Sequence, residues 1–269
     1  MNPRLALSLL PLLFVTAMGL GQDTATVKRI AVEVGGHKGF VMEPLKPGPE
    51  GSRPWVWYAP VIGPHPSRET DWMFRRLFDA GIYVVGVNVG ESMGNPAGRK
   101  GYSAFYEHVV REFKLEPKAR LLAQSRGGLM LYNWAVENPE KVQCVAGIYP
   151  VCDLRSYPKL PRAAEAYGLT VAELDKVLAQ HNPVDRLEPL AKARVPVLHI
   201  HGDSDKVVPL EANSKALTDR YRELGGPAEA IVVAGKGHEA VKEFFEEPRM
   251  VEFLKAGGLP VKRKPEPGR

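Results

Sequence analysis

Cysteine is nearly absent. The 269 residues hold two, Cys144 and Cys152, so at most one disulfide can form. Both lie in or at the end of one apolar stretch that reads as a strand. At about 3.3 Å per residue an eight-residue separation along a strand is roughly 26 Å, far beyond disulfide reach. They are expected to be free, mostly buried thiols. A long uninterrupted apolar run is also lacking, which excludes a protein of many membrane spans; the stretch Leu5–Val15 is too short, and broken by Pro11, to cross a bilayer well. Charge of one sign is not in marked excess: 36 Lys and Arg face 31 Asp and Glu, a formal +5. Part of that excess sits in the terminal "VKRKPEPGR". No pattern of interleaved aromatic and basic residues marks a nucleic-acid face. Internal repeats are absent, and nothing suggests a second core.

What is present is an ordinary soluble composition, 44% hydrophobic and 25% charged. The length suffices for one large α/β domain. The start "MNPRLALSLLPLLFVTAMGLGQD" has an early Arg4, an apolar stretch and then small residues, the pattern of a secretory signal peptide. Residues 1–21 are expected to be such a leader, cleaved between Gly19 and Asp23. With Arg4 gone the charge becomes +4. No cysteine near that point offers a lipid anchor. A secreted or periplasmic protein with no stable membrane anchor is expected, its domain running over 22–269 with a solvated, flexible tail at 260–269.

"VKRIAVEV" and "KGFVMEP" alternate around Gly35-Gly36 and predict a β-hairpin. Strand and helix patterns then take turns. The strands are "WVWYAP", "IYVVGVN", "ARLLAQ", "VQCVAGIY", "VPVLHIHG" and "EAIVVAG". The helices are "ETDWMFRRLFDAG", "GYSAFYEHVVREFKLE", "GGLMLYNWAVENP", "LEANSKALTDRYRELGG" and a last one from Glu239. This is an α/β fold with a mostly parallel central sheet and helices on both faces. One segment, 153–194, breaks the rhythm. It contains "TVAELDKVLAQH", whose Thr170 and Glu173 have capping-box spacing. It reads either as a small helical lid over the carboxyl edge of the sheet or as an elongated crossover.

In "LLAQSRGGLM" an apolar strand stops at Ser125, and two glycines open the next helix. Ligands of open α/β sheets bind at this carboxyl edge. A sharp strand-to-helix turn needs small neighbours; Ala123, Gly127 and Gly128 supply them. The spacing is that of the nucleophile elbow G-x-S-x-G, with alanine at the first glycine position. Serine at such a turn is also a common N-cap, so the motif alone leaves both readings open. A nucleophilic serine needs a base, and the base an orienting acid. Asp203 and Asp205 follow one later strand, and His238 follows the last. Serine, acid and histidine thus reach one sheet edge from three strand ends, in that chain order.

Together "AQSRGG", "HGDSDKVVP" and "GKGH" resemble the α/β-hydrolase superfamily. They are most similar to the branch of dienelactone hydrolases and prolyl oligopeptidase catalytic domains, over nearly all the chain after the leader. The resemblance implies an α/β-hydrolase fold and a catalytic triad Ser125–His238–Asp205. The family pattern H-G-x-x-D-x-x-V-P falls on His201, Gly202, Asp205, Val208 and Pro209, leaving Asp203 as a loop-shaping residue. Some relatives take the acid from the preceding strand end, which makes Asp153 a third candidate. One oxyanion donor is then the amide of Arg126, and the other lies in "YAPVIGPHPS", at Val61 with Ile62 next. That loop departs from the family by lacking a His-Gly pair.

Arg126 has two readings, a contact to the substrate's oxyanion or carboxylate, or an ion pair with Glu91 of "NVGESMGNP". An arginine in this slot is similar to that of glucuronoyl esterases. His65 is either a pocket-mouth residue or merely solvated. His199 and His201 share one strand face, but no third ligand is apparent and His201 belongs to the family loop, so no metal and no cofactor are expected. Trp55, Trp57, Trp72 and Trp134 are expected to pack in the core or at its edge. The resulting expectation is an exported serine hydrolase acting on a small-molecule or carbohydrate ester. The alternatives are a prolyl oligopeptidase-like peptidase and a non-enzymatic binder on the same scaffold. No nucleic-acid partner is expected, and the oligomeric state stays open.

Overall fold

The computed structural model describes residues 27–46 and 48–259. The expected leader and tail lie outside the described residues. The chain opens with β1 (Lys28–Val34) and β2 (His37–Glu43), paired antiparallel with Val34 opposite His37. Gly35 and Gly36 between them both have positive φ, +58° and +79°. That is what a two-residue turn matched to the strand twist requires.

Six more strands follow: β3 (Trp55–Ala59), β4 (Tyr83–Val87), β5 (Ala119–Gln124), β6 (Val142–Ile148), β7 (Val197–Gly202) and β8 (Ala228–Val233). They make one eight-stranded sheet in the order β1-β2-β4-β3-β5-β6-β7-β8. The pairs of β2 with β1 and with β4 are antiparallel; the rest are parallel. From β3 the chain steps outward to β4 and then crosses back to β5 on the other side of β3. The sheet order therefore switches direction between β3 and β5, where the loops leaving the two strands part and open a crevice.

The period-two alternation of these strands divides the core in two. On one face Trp57, Leu121 and Val145 pack with Tyr102 and Phe105 of α2 (Pro96–Glu112), Trp134 of α3 (Gly127–Ala135) and Tyr221 of α7 (Ala216–Glu223). On the other, Tyr58, Leu122 and Ala146 meet Phe74 and Leu77 of α1 (Asp71–Asp79) and Met250 and Leu254 of α9 (Pro248–Ala256). Trp57 meets Tyr102 and Trp134 edge-on, with ring centroids 5.1 and 4.9 Å apart. Such pairs contribute about 0.5–1.5 kcal/mol each beyond the area they bury. Trp55, Trp57 and Trp134 are fully buried, while Trp72 lies at the edge under the Arg76 guanidinium.

Segment 153–194 carries α4 (Leu160–Tyr167), α5 (Val171–Val177) and α6 (Glu188–Lys192). The Thr170–Glu173 capping box forms, each residue's backbone N–H meeting the other's side chain. Leu154, Ala163, Leu174 and Leu178 build a small core on Met93, Leu129, Val151 and Val208. The insertion is thus seated on α3 and on loops at the carboxyl edge of the sheet.

Three details differ from the sequence reading. Helix α2 starts at Pro96, not near Gly101, with the Asn95 side chain accepting from the Gly98 amide. The helix expected from Glu239 is two pieces, α8 (Lys242–Phe245) and α9, because Pro248 cannot continue the first. The strand holding Cys144 ends at Ile148, so Cys152 lies beyond it; both thiols are nonetheless free and buried.

Candidate active site

Ser125 follows β5 directly, and its backbone is held at φ +48°. A non-glycine residue there is strained, by about 1–3 kcal/mol, unless its surroundings fix it. Three hydrogen bonds do so. Its N–H donates to Ile148 O at 3.0 Å, and its carbonyl accepts from Gly128 N at 2.9 Å and Val151 N at 2.8 Å. The two glycines are sterically required. A Cβ on Gly127 would stand 2.1 Å from Ala59 O, and one on Gly128 would stand 2.3 Å from Val151 O. Ala123 lies fully buried between Ala59 and Gly147 of the neighbouring strands, where a methyl fits.

The turn aims Ser125 Oγ at His238, 2.9 Å from Nε2. His238 Nδ1 lies 2.8 Å from Oδ2 of Asp205. The Asp205 side chain is fully buried, whereas His238 keeps 19% of its side-chain surface exposed. Asp205 Oδ1 accepts from the amides of Val207 and Val208, at 2.9 and 2.8 Å. Burial works against a charge on Asp205. Hydrogen bonds from His201, His238 and the Val208 amide outweigh it and hold the carboxyl well below its ordinary range. A serine hydroxyl, an imidazole and an ionised carboxylate therefore stand in line, an arrangement able to activate the serine as a nucleophile. Asp203 instead accepts from the Gly235 amide and shapes its own loop, and Asp153 is engaged with Asn182 and Arg155.

Arg126 is the residue just before α3, and Val61 lies two residues past β3. Among the described residues neither amide donates to any acceptor. Both residues lie on the connections that part between β3 and β5. The Ile62 amide likewise donates to no acceptor among the described residues, while its carbonyl accepts from His65 N and its side chain packs against the core. Arg126 Nη2 pairs with Glu91 Oε1 at 3.2 Å. The Arg126 Nε is buried and has no partner among the described residues. His65 Nδ1 stands 3.4 Å from the Tyr58 hydroxyl; burial, then the Arg126 charge, depress its basicity.

Two features of the site escaped the sequence reading. Tyr149, one residue past β6 at φ +35°, lays its ring against His238 with centroids 4.4 Å apart. Its hydroxyl accepts from Gln124 Nε2 at 3.3 Å, and Gln124 Oε1 accepts from the Tyr58 hydroxyl at 2.5 Å. Tyr149 sits at the same sheet edge as the other site residues, and its position just past a strand was the available signal. The histidine pair of β7 is fully buried: His199 bonds Tyr132 and Ser214, and His201 bonds Ser214 and Val208 O. Among the described residues no cluster of three or more His, Cys, Asp or Glu is placed to hold a metal ion.

The prolyl oligopeptidase family model matches residues 102–255, more than half of the chain. No curated protein matches the sequence. Solved structures with the same fold include a puromycin-hydrolyzing peptidase of Mycobacterium tuberculosis. It is 17% identical at TM-score 0.65, over 85% of this chain and 38% of that one. An S-formylglutathione hydrolase from Agrobacterium tumefaciens is 15% identical at TM-score 0.66, over 88% and 97% of the two chains. Est1E from Butyrivibrio proteoclasticus is 15% identical at TM-score 0.60, over 85% and 96%. The chain spans 35–38% of the length of the peptidases it matches.

Proposed function

The chain belongs to the prolyl oligopeptidase family, and from that premise we propose that it is an exported serine hydrolase cleaving carboxylic esters. The observation that carries the reading is the unbroken line from Ser125 Oγ through His238 to Asp205, at 2.9 and 2.8 Å. Ser125 Oγ attacks the ester carbonyl while His238 Nε2 takes its proton. The carbonyl oxygen becomes an oxyanion held by the free amides of Arg126 and Val61. The intermediate collapses; the C–O bond to the alcohol breaks, and His238 returns the proton to the leaving oxygen. A water then repeats the sequence on the acyl-enzyme and releases the acid. Asp205 stays ionised throughout, orienting His238 and offsetting the charge of the imidazolium. The cycle uses this chain's groups and water.

The ester reading draws on the S-formylglutathione hydrolase and Est1E among the solved structures that share the fold, beside the puromycin-hydrolyzing peptidase. The peptidase reading draws its support from the family itself. Arg126 would meet an acidic group on the substrate. Its pair with Glu91 is single-contact and partly exposed, so exchanging one carboxylate for another costs little. The leader of residues 1–21 would direct export to the periplasm or beyond.

The test is labelling with a fluorophosphonate, comparing wild type with Ser125→Ala and His238→Ala. Labelling that requires both residues is expected. Folded wild type that does not label would return Ser125 to a turn residue and the fold to a binding scaffold. Turnover of matched ester and aminoacyl-amide substrates then separates esterase from peptidase.

A further inference from the structure

Behind Asp205 lies a chain of buried polar side chains that take no direct part in the hydrolysis. Tyr132 OH is 2.6 Å from His199 Nε2, and His199 Nδ1 is 3.0 Å from Ser214 Oγ. Ser214 Oγ is 2.8 Å from His201 Nδ1, and His201 Nε2 is 2.8 Å from Val208 O and 3.4 Å from Asp205 Oδ2. Tyr132, His199, Ser214 and His201 are all fully buried. They come from α3, from β7 and from the turn before α7.

With both imidazoles neutral, the direction of every bond follows from the Asp205 end. Val208 O and the Asp205 carboxylate can only accept, so His201 Nε2 carries a proton. A neutral His201 then accepts at Nδ1, which obliges the Ser214 hydroxyl to donate to it. Ser214 has one proton, so its oxygen accepts from His199 Nδ1–H. His199 Nε2 is left as an acceptor, and the Tyr132 hydroxyl supplies it. This assignment leaves both imidazoles neutral and partners each ring nitrogen. His199 fits it independently: burial, then the neighbouring His201, push it down to about 3. The four donors run head to tail to Val208 O, and His201 Nε2 also stands 3.4 Å from the carboxylate oxygen that receives His238 Nδ1. Hydrogen bonds in such a file polarise one another in the same sense.

We propose that His201 is a positioning residue for the hydrolysis, its Nε2–H fixed by the file Tyr132–His199–Ser214 as the donor to Val208 O, 3.4 Å from Asp205 Oδ2, and so bracing the segment that holds Asp205. This rests on the serine-hydrolase reading above. Asp205 Oδ1 is pinned by two amides, one of them that of Val208, whose carbonyl takes the His201 proton; Oδ2 is bonded to the imidazole it has to orient. A residue of this kind acts on His238 through Asp205 and leaves substrate binding alone.

Two measurements on the full chain test it. In wild type labelled with 15N-histidine, long-range proton–nitrogen spectra are expected to show His201 protonated at Nε2 and His199 at Nδ1, both neutral. The opposite tautomer at His201 overturns the proposal with no variant needed. In kinetics, folded His201→Leu is expected to lose about tenfold or more in kcat on a p-nitrophenyl ester, with KM within about twofold. Its fluorophosphonate labelling should slow in parallel, and His201→Gln, which can present an N–H at the same place, should recover most of the rate. Wild type that labels, beside a His201→Leu that turns over as fast, means His201 only packs. Wild type that does not label is a failure of the hydrolase reading instead, so the two are told apart.

Discussion

Gly127→Ala is a one-carbon change whose effect can be worked from distances. The new Cβ would stand 2.1 Å from Ala59 O, 2.4 Å from Ala59 C and 2.7 Å from Pro60 N. All three are backbone atoms, and a carbon–oxygen contact is comfortable only from about 3.3 Å. Helix α3 and the loop after β3 must therefore part by about 1 Å. Ala59 has nowhere to recoil, since it is fully buried and paired with Ala123. Overpacking of this kind costs about 1–3 kcal/mol. Alanine's advantage over glycine in a helix returns about 0.5–1 kcal/mol. A net loss of about 1 kcal/mol, and at most about 2.5 kcal/mol, is expected in urea unfolding followed by circular dichroism. Activity should suffer further, because the contact joins the two segments that carry the Arg126 and Val61 amides and Ser125 itself. A misplacement of about 1 Å can cost about a hundredfold in rate. Steady-state turnover of a p-nitrophenyl ester should fall by about that factor. A variant with the wild-type urea midpoint and wild-type turnover would show that the elbow and the Val61 loop are not mechanically coupled.

Asp205→Asn should keep the fold while lowering kcat by about four orders of magnitude, because the amide presents the wrong partner to His238 Nδ1; turnover near wild type would move the orienting role to another acid. His199 gives a pH signature. It is held at about 3 in the fold against an ordinary 6.5, so below 6.5 the unfolded chain takes up a proton that the native state refuses. Its contribution is complete above that value and declines as the pH falls towards 3, at about 1.4 kcal/mol per pH unit. Urea midpoints should drop between about pH 7 and about pH 4.5 and do so less in His199→Phe; equal slopes for the two proteins would mean that His199 titrates normally.

Much of this was legible in the sequence because the site is assembled from strand ends. Strand patterns can be read from apolar runs, and a parallel sheet sends all their carboxyl ends to one edge. Ser125, Asp205 and His238 were therefore placeable together from the chain alone. The glycines after Ser125 were also readable, since a sharp turn against a neighbouring strand leaves no volume for a Cβ. The start of α2 was less so. Asn95-Pro96 is a helix-start signal, but Gly98 and Gly101 inside the first turns read as breakers. The structure shows why they are tolerated. A Cβ on Gly98 would meet Ser92 Oγ at 2.5 Å, and one on Gly101 would stand 3.0 Å from His37 Nε2. These glycines serve close approach to other segments, a property that no local pattern carries.

The same distinction explains why the file behind Asp205 was invisible. Periodicity puts His199 and His201 on one face of β7, which is as far as it goes; a histidine pair at that spacing suits a metal as well as a hydrogen-bond chain. What decides between them is the partner set, Tyr132 from α3 and Ser214 from the turn before α7. Both arrive by tertiary packing. Gly147 has a part in this, because a Cβ there would fall 2.6 Å from His199 Cδ2. The room for the buried ring is made by a glycine on the adjacent strand. A buried imidazole without partners would be costly, so the ring, the glycine beneath it and the hydroxyls at its two nitrogens form one unit. That unit ends at Val208 O, 3.4 Å from the Asp205 carboxylate. The demand for satisfied buried polar atoms, which is a condition on the fold, thereby becomes a constraint on the geometry of Asp205, which is a condition on the chemistry.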